Sequence, residues 1–304
     1  MLQHKYLISV VGPTGIGKTA LSIQLATYFN TEIISADSRQ FYKEIPIGTA
    51  APSASELQAA KHHFIHNKSI TDTYSVGSFE KDALTKLTQL FKTHQIVIMV
   101  GGSGLYVDAV TTGLDAFPKI DKAIRIALNN TLETEGLEAL QEILKQKDPQ
   151  TYNTIALQNP HRVIRALEVC IGSGKPYSSF LNKTASNRPF KTLTIGLTAP
   201  RDIIYNRINN RVDAMMAAGL LEEVTKLKDQ AHLNALNTVG YKEIFNYLNG
   251  DCSLESAVST IKMNTRRFAK RQLTWFKRNS NTLWFDYNTD ISKIIEAINT
   301  RISK

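Results

Sequence analysis

Short apolar runs alternate with amphipathic segments along the N-terminal third of the chain. Tyr6–Val11 and Ile96–Val100 are continuous apolar runs, typical of parallel strands buried on both faces, and Thr31–Ser35 is a shorter strand between them. Residues 20–26 and 79–91 have the spacing of helices. This alternation of strands and helices predicts the first part of a doubly wound α/β sheet.

The pattern changes after Gly113. From Asp121 to Gly172 the periodicity is helical and no strand is predicted; the helical segments are Lys122–Thr131, Gly136–Gln146 and Pro160–Ile171. We interpret residues 116–190 as a helical domain inserted between two parts of the sheet domain, residues 1–115 and 191–304.

The strand pattern returns in the last third of the chain. Lys191–Leu197 is predicted as a strand, and helices follow from Asp202 to Gln230 with a break at Gly219. A long helix over Leu254–Arg278 precedes a last strand, Thr282–Phe285.

The segment between the first strand and the first helix has the spacing G-x-x-x-x-G-K-[ST] of a phosphate loop. Glycines at these positions allow positive φ and bring backbone N–H groups close to an anion, while the helix N-terminus adds partial positive charge. The lysine reaches a terminal phosphoryl oxygen, and the threonine hydroxyl is a ligand for Mg²⁺. The loop predicts a P-loop NTPase-like fold and a nucleotide or diphosphate site formed by Gly12, Pro13, Thr14, Gly15, Ile16, Gly17, Lys18 and Thr19.

Polar residues follow the second predicted strand, at the sheet edge where open α/β sheets bind ligands. Asp37 is a candidate magnesium ligand or general base, and Ser38, Arg39 and Gln40 are able to hydrogen-bond a base edge. The strand Ile96–Val100 is followed by glycines and Ser103 instead of the Asp that orients magnesium in phosphate-loop ATPases. Neither that Asp nor a guanine-reading Asn-Lys-x-Asp motif is present, which argues against a GTPase switch and weakens an ATPase interpretation.

Basic residues are concentrated in the last long helix. Seven Lys and Arg residues and no acid lie between Ala257 and Arg278. We predict a buried stripe of Val258, Ile261, Phe268, Leu273, Trp275 and Phe276, and an exposed ridge formed by Lys262, Arg266, Arg267, Lys270, Arg271, Lys277 and Arg278. Such a ridge is suited to phosphate backbones, and the formal net charge of +9 permits a polyanionic partner.

Two further groups of basic residues are candidates for anion contacts. Arg207 and Arg211 are one helical turn apart and are able to clamp a diphosphate, although solvated helix charges give the same pattern. His161, Arg162 and Arg165 begin the last helix of the insertion, a placement suited to a nucleic acid. His62 and His63 have no further metal ligands at suitable spacing, so no metal site is predicted there.

Cysteine content and hydropathy limit the location of the protein. Cys170 and Cys252 are far apart and form no CxxC pair, which favours a reducing compartment and free thiols. No apolar run approaches the length of a membrane span, and the N-terminal segment has no pattern of a signal peptide. We expect a cytoplasmic monomer with no membrane partner.

These segments together resemble the tRNA dimethylallyltransferase (tRNA isopentenyltransferase) family, over nearly the whole chain and in the same order. After His62-His63 the family's usual Leu-Ile-Asp is replaced by Phe64-Ile65-His66. The matching segments are GPTGIGKT (12–19), ADSRQFY (36–42), IGTAAP (47–52), GGSGLY (101–106), NPHRVIRALEV (159–169), AGLLEEV (218–224), VGYKE (239–243) and TRRFAKRQLTWF (265–276).

The resemblance implies transfer of a dimethylallyl group from dimethylallyl diphosphate to the exocyclic amine of the adenosine 3′ of the anticodon, in tRNAs that read codons starting with U. Asp37 then accepts the amine proton, and Lys18, Arg211 and Mg²⁺ on Thr19 stabilise the departing diphosphate, with Arg207 nearby. The helical insertion grips the tRNA anticodon stem-loop. The positions that match tRNA-contacting residues are Asp37, Ser38, Arg39, Gln40, Ser103, Arg125, His161, Arg162, Val163, Ile164, Arg165, Asn237, Thr238, Val239, Gly240, Tyr241 and Lys242.

Three other functions use the same phosphate loop. A small-molecule P-loop kinase leaves the basic helix and the insertion unexplained. A non-catalytic nucleotide switch or RNA-binding module leaves Asp37 unexplained. An adenylate isopentenyltransferase shares the prenyl-transfer chemistry, but it has no need of an insertion matching a tRNA-binding domain.

Overall fold

The computed structural model describes residues 4–181 and 187–303. Contacts divide the chain into two compact units: a core unit of residues 1–111 and 188–304, and a helical unit of residues 112–187.

The core unit contains a six-stranded, fully parallel sheet with the order β3-β2-β4-β1-β5-β6. This confirms the predicted fold class, a parallel sheet flanked by helices. The β3 strand was not predicted. The strands are β1 (Tyr6–Val11), β2 (Ile33–Ser35), β3 (His62–His63), β4 (Ile96–Val100), β5 (Lys191–Thr198) and β6 (Leu283–Asp286).

Helices cover both faces of this sheet, because the side chains of the central strands are apolar on both sides. One face packs against α1 (Lys18–Tyr28) and α13 (Ile291–Ile302), and the other against α3 (Val76–Leu90) and α4 (Gly104–Thr111). The helices of the core unit are α1 (Lys18–Tyr28), α2 (Ala54–Ala59), α3 (Val76–Leu90), α4 (Gly104–Thr111), α9 (Arg201–Ala217), α10 (Leu220–Thr225), α11 (Tyr241–Leu248), α12 (Leu254–Phe276) and α13 (Ile291–Ile302).

The helical unit has its own apolar core. Helices α5 (Lys122–Glu135), α6 (Leu137–Lys147) and α8 (Pro160–Ser173) pack through residues such as Leu140, Leu144, Val163 and Leu167. The short α7 (Pro149–Thr154) was not predicted. Its N-cap, the buried Asp148, accepts hydrogen bonds from the backbone and hydroxyl groups of Thr151 and Ser178.

The break predicted at Gly219 is confirmed. Gly219 has φ +97° and separates α9 from α10. No helix of residues 4–181 and 187–303 is long and apolar enough to cross a membrane.

A buried carboxylate connects α10 to the loop after β2. Glu223 accepts hydrogen bonds from the backbone N–H groups of Ile47 and Gly48, both at 2.9 Å. The fully buried Tyr241 donates its hydroxyl to the same carboxylate at 2.5 Å. Since a buried carboxylate is costly unless hydrogen-bonded, these three donors fix the loop against α10 and α11.

We expect Tyr241→Phe to lower the free energy of unfolding by about 1–3 kcal/mol, because the buried Glu223 loses a donor while the volume of the ring is retained. Urea unfolding measures this change. Tyr247→Phe, a half-buried tyrosine on the same helix, is the control and should have little effect. Equal stabilities for Tyr241→Phe and the wild type would contradict the role assigned to this hydroxyl.

Candidate active site

The phosphate loop joins β1 to α1 at the carboxyl edge of the sheet. Gly12, Gly15 and Gly17 have φ values of +144°, +77° and +111°. A Cβ on Gly12 would lie 2.7 Å from the Leu197 carbonyl oxygen of β5. Glycine at position 12 is therefore required both by the backbone conformation and by the close approach of the neighbouring strand.

Lys18 and Arg211 bring two positive charges to the loop. Lys18 donates from Nζ to the Pro13 carbonyl oxygen at 2.8 Å, and Arg211 donates to Thr14 Oγ1 at 3.2 Å and to the Ala50 carbonyl oxygen at 3.3 Å. Burial, with repulsion from Arg211, lowers the pKa of Lys18 to about 7, although Asp37 favours the charged form. A phosphoryl group at this position would stabilise both cations.

Arg207 reaches the loop from the preceding turn of α9. Its Nε donates to the Gly15 carbonyl oxygen at 2.7 Å, and its guanidinium lies 5.5 Å from the centre of the Tyr287 ring. Both arginines predicted as a diphosphate clamp are thus adjacent to the phosphate loop.

Gln272 is a site residue that sequence analysis missed. The side chain is buried in α12, where its Oε1 accepts from the Thr14 N–H at 2.9 Å and its Nε2 donates to the Gly102 carbonyl oxygen at 2.8 Å. It therefore connects the phosphate loop to the turn after β4. The only signal for Gln272 in the sequence was its amide side chain, within a segment that we assigned to apolar packing and to the basic ridge.

Asp37 lies in the loop after β2, where its Oδ1 accepts from the Arg39 N–H at 3.0 Å. Ser103, from the turn after β4, accepts from the Ser38 N–H at 3.0 Å and is 3.1 Å from the Ser38 hydroxyl. The predicted cluster is therefore brought together, from two adjacent strands. Gln40 differs from this prediction, because its Nε2 donates to the carbonyl oxygens of Thr49 and Ala50. We therefore assign its amide to stabilising that loop, and not to a hydrogen bond with a base.

Two adjacent cavities contain these residues. The smaller, about 80 Å³, is lined by phosphate-loop residues including Lys18 and Thr19. The larger, about 520 Å³, is lined by polar residues such as Arg39 and Ser103. Its other lining residues include the predicted set Asn237, Thr238, Val239, Gly240 and Lys242, and the apolar set Ile208, Val212, Met215, Leu220 and Ile261. Both cavities are lined by Thr14, Asp37, Thr49, Arg211 and Phe268.

The chemistry of the smaller cavity fits Mg²⁺ that is held mainly by substrate and water. Thr19 and Asp37 offer oxygen ligands, as this ion prefers. Among residues 4–181 and 187–303 there is no group of three His, Cys, Asp or Glu side chains able to hold a metal. A site with few protein ligands matches an ion bound together with phosphoryl oxygens.

In the helical unit, Arg125 and Arg165 share one carboxylate. Glu168, 7% exposed, accepts at Oε2 from Arg125 at 2.7 Å and from Arg165 at 3.2 Å. Arg165 also lies 5.1 Å from the centre of the Phe117 ring. Glu168 thus orients two arginines that remain partly exposed, and sequence analysis did not identify it.

Three predicted tRNA contacts require correction. The side chains of Val163, Ile164 and Tyr241 are buried, so we assign them to packing. His161 and Arg162 are exposed on α8, as predicted for a surface contact.

The basic helix α12 also differs in part from the prediction. Lys262 pairs with Asp213, and Arg266 donates to Asn209 at 2.8 Å, so both pack against α9. Phe268, predicted to be buried, is 38% exposed and lines the cavities. The exposed basic residues of the segment are Arg267, Lys270, Arg271, Lys277 and Arg278.

The comparisons with known proteins agree on one family. The sequence model of the IPP transferase family matches residues 40–279. The chain is 57% identical over 301 residues to the tRNA dimethylallyltransferase of Christiangramia forsetii, covering 99% of this chain and 100% of that protein. Its relative of the same name from Flavobacterium johnsoniae is 58% identical over 300 residues, with 97% of each protein covered.

Two solved structures are similar over 98% of this chain. The full-length tRNA isopentenylpyrophosphate transferase of Bacillus halodurans has a TM-score of 0.72 and 38% identity, with 96% of that chain covered. A eukaryotic dimethylallyltransferase acting on tRNA has a TM-score of 0.78 and 27% identity, with 77% of that chain covered.

The pKa of Lys18 predicts a pH dependence of anion binding. An anion selects the ammonium form, so above about pH 7 the free protein must take up a proton to bind it. We expect the ratio of wild-type to Lys18→Met diphosphate affinity to fall above pH 7, by up to about tenfold per pH unit. Calorimetry on both proteins measures this ratio, in which the titration of the ligand itself cancels. A ratio that is constant between about pH 6 and 9 would contradict the lowered pKa.

Proposed function

The chain belongs to the IPP transferase family, and we propose that it transfers the dimethylallyl group of dimethylallyl diphosphate to the exocyclic amine of the adenosine 3′ of the anticodon in tRNA. This function makes the chain an alkyl-transferring enzyme and a tRNA-modifying one. Asp37 carries the proposal, because this carboxylate lines both the cavity of the phosphate loop and the larger cavity beside it.

The two cavities correspond to the two ends of the reaction. The diphosphate binds at the phosphate loop near Lys18 and Arg211, while the dimethylallyl group and the adenine occupy the larger cavity. The apolar side chains of Ile208, Val212 and Met215 in that cavity are suited to an isoprenoid group.

The transfer is a substitution at the allylic carbon. The amine nitrogen forms a bond to C1 of the dimethylallyl group, the C1–O bond breaks, and the electron pair of that bond leaves with the diphosphate. Asp37 accepts the amine proton. Lys18 and Arg211 stabilise the negative charge that develops on the diphosphate. Thr19 would hold Mg²⁺, which would add charge stabilisation at the leaving group.

Each unit of the protein has its own candidate tRNA contacts. The shared Glu168 orients Arg125 and Arg165 for phosphate or base contacts, and His161 and Arg162 are exposed on the same helix. In the core unit, Arg39 and Ser103 line the cavity that receives the adenine. A base within a stacked loop must be flipped out to reach such a cavity. We propose that the protein acts on tRNA as a monomer in the cytoplasm.

Mass spectrometry of nucleosides tests this proposal directly. Unmodified tRNA is incubated with the protein, Mg²⁺ and dimethylallyl diphosphate in the absence of ATP. The expected result is the mass of one dimethylallyl group on the adenosine 3′ of the anticodon. Prenylation of free adenine nucleotides alone would instead indicate an adenylate isopentenyltransferase, and consumption of ATP without prenylation would indicate a kinase.

We expect Asp37→Asn to lower kcat by about 10²–10⁴-fold, because the amide cannot accept the proton. The Asn side chain keeps an oxygen for the Arg39 N–H, so the loop is retained. Steady-state kinetics gives kcat, and tRNA affinity measured by filter binding should remain within a few-fold of the wild type. Near-normal turnover would exclude Asp37 as the base.

The exposed basic residues of α12 predict a salt-dependent tRNA affinity. We expect Arg267→Gln, Lys270→Gln and Arg271→Gln, combined, to weaken tRNA binding and to reduce the slope of log K against log salt by about 2, because each phosphate contact releases counterions. The control removes three other exposed charges of the core unit, at Lys81, Lys92 and Lys226. If both triple variants have the same slope, α12 does not contact the tRNA backbone.

A further inference from the structure

Within the described part of the chain, His62 has a buried ring nitrogen with no hydrogen-bond partner. Its Nδ1 lies 2.8 Å from the Ala60 carbonyl oxygen, whereas Nε2 is buried and has no hydrogen-bond partner among the described residues. Buried polar atoms of this kind are uncommon, and each requires an explanation.

The tautomer of His62 follows from its neighbour. A carbonyl oxygen can only accept, so Nδ1 must carry the hydrogen that is donated to Ala60. Burial lowers the pKa of His62, which favours the neutral ring. In the neutral ring with Nδ1 protonated, Nε2 has a lone pair and is an acceptor that lacks a donor.

Sheet register places His62 on the face of the phosphate loop. His62 pairs with Ile33 in the parallel β3–β2 ladder, so the two side chains share a face. Ile33 packs with Leu21 and Leu25 of α1 on that face. His62 accordingly lines the smaller cavity together with Lys18, Thr19 and Asp37, and it does not line the larger one.

Most donor groups of this cavity have other partners, and the Thr19 hydroxyl is the group assigned above to Mg²⁺. Lys18 donates to Pro13, Ser35 to Gln40, and Thr49 to Ile45. The amide groups of Gln40 and Gln272 donate to backbone carbonyl oxygens. A diphosphate held by Mg²⁺ and by two cations is fully ionised, so its oxygens accept hydrogen bonds and cannot satisfy Nε2. A water molecule bound to Mg²⁺ is a strong donor that belongs to this end of the site.

We propose that His62 positions the magnesium ion through its bound water: Nε2 accepts a hydrogen bond from a water molecule in the coordination shell of Mg²⁺ at the phosphate loop. This assignment rests on the proposed function, since it requires that the loop binds a magnesium–diphosphate complex. His62 is a positioning residue in this role and does not contact the reacting atoms.

Two substitutions separate the two ring nitrogens. His62→Gln places an amide oxygen near the position of Nε2 and preserves an acceptor there. His62→Asn retains a donor near Nδ1 for the Ala60 carbonyl oxygen but has no atom at the position of Nε2. The matched control is His66→Asn. His66 also has a buried Nε2 that lacks a partner among residues 4–181 and 187–303, but it does not line either cavity. Asn tolerates the φ of +48° at this position.

Calorimetric titration with inorganic diphosphate, with and without Mg²⁺, measures the effect apart from turnover. We expect His62→Asn to weaken diphosphate binding in the presence of Mg²⁺ by about tenfold or more, as for other outer-shell groups, and to leave metal-free binding unchanged. His62→Gln should recover most of the loss, and His66→Asn should bind as the wild type. Equal binding by His62→Asn and wild type in Mg²⁺, or equal losses with and without Mg²⁺, would overturn the assignment.

The wild-type protein supplies two independent controls. If it binds no diphosphate with or without Mg²⁺, the proposed function fails before His62 is tested. Nitrogen-15 NMR of the labelled wild type should show His62 protonated at Nδ1 and not at Nε2, with the Nε2 resonance shifting only when Mg²⁺ and diphosphate are both added. Protonation at Nε2, or the same shift with diphosphate alone, would overturn the proposal even if the variants do not fold.

Discussion

Two closely spaced, half-buried cations set the main electrostatic constraint on this structure. Lys18 and Arg211 lie close enough for Arg211 to lower the pKa of Lys18, and Asp37 compensates them only in part. Placing such charges in a low-dielectric site is costly unless they are hydrogen-bonded or paired. Each cation is held by a backbone carbonyl, from Pro13 and Ala50 respectively. An anion bound at this position would therefore compensate the positive charges of Lys18 and Arg211.

The loop that holds Arg211 is itself fixed by residues distant in sequence. Glu223 accepts from Ile47 and Gly48, and Tyr241 donates to Glu223. Gln40 binds the carbonyl oxygens at the far end of the same loop. Gln40 and Tyr241, which sequence analysis assigned to substrate contacts, thus maintain the position of a loop whose Ala50 carbonyl oxygen accepts from Arg211.

Much of the core could be predicted from the sequence because its signals are local. The apolar runs of β1 and β4 and the spacing of the phosphate loop depend only on neighbouring residues. The two-residue strand β3 could not be predicted in this way, since it is a strand only through its pairing with Ile33 and Ile34. The α12 face was assigned wrongly at Phe268 because periodicity gives no information on which neighbours, here an open cavity, lie opposite each residue.

The candidate site residues likewise divide into those with a local sequence motif and those that depend on distant contacts. Lys18, Thr19 and Asp37 were identified from their motifs, and the structure brings them to one cavity. Gln272 and Glu168 were missed, because each is a single polar residue with at least one partner far away in the chain, even though Arg165 is close to Glu168 in sequence. Their function is visible only when distant segments are placed together.

The position of Gln272 has a consequence for how this chain tolerates length changes. Helix α12 presents Gln272 to the phosphate loop while Arg267, Lys270 and Arg271 face outward. Inserting or deleting one residue earlier in the helix would rotate everything after it by about 100°. The amide would leave the loop and charged side chains would turn toward the core. The number of residues of α12 that precede Gln272 is therefore constrained by the loop that this amide contacts.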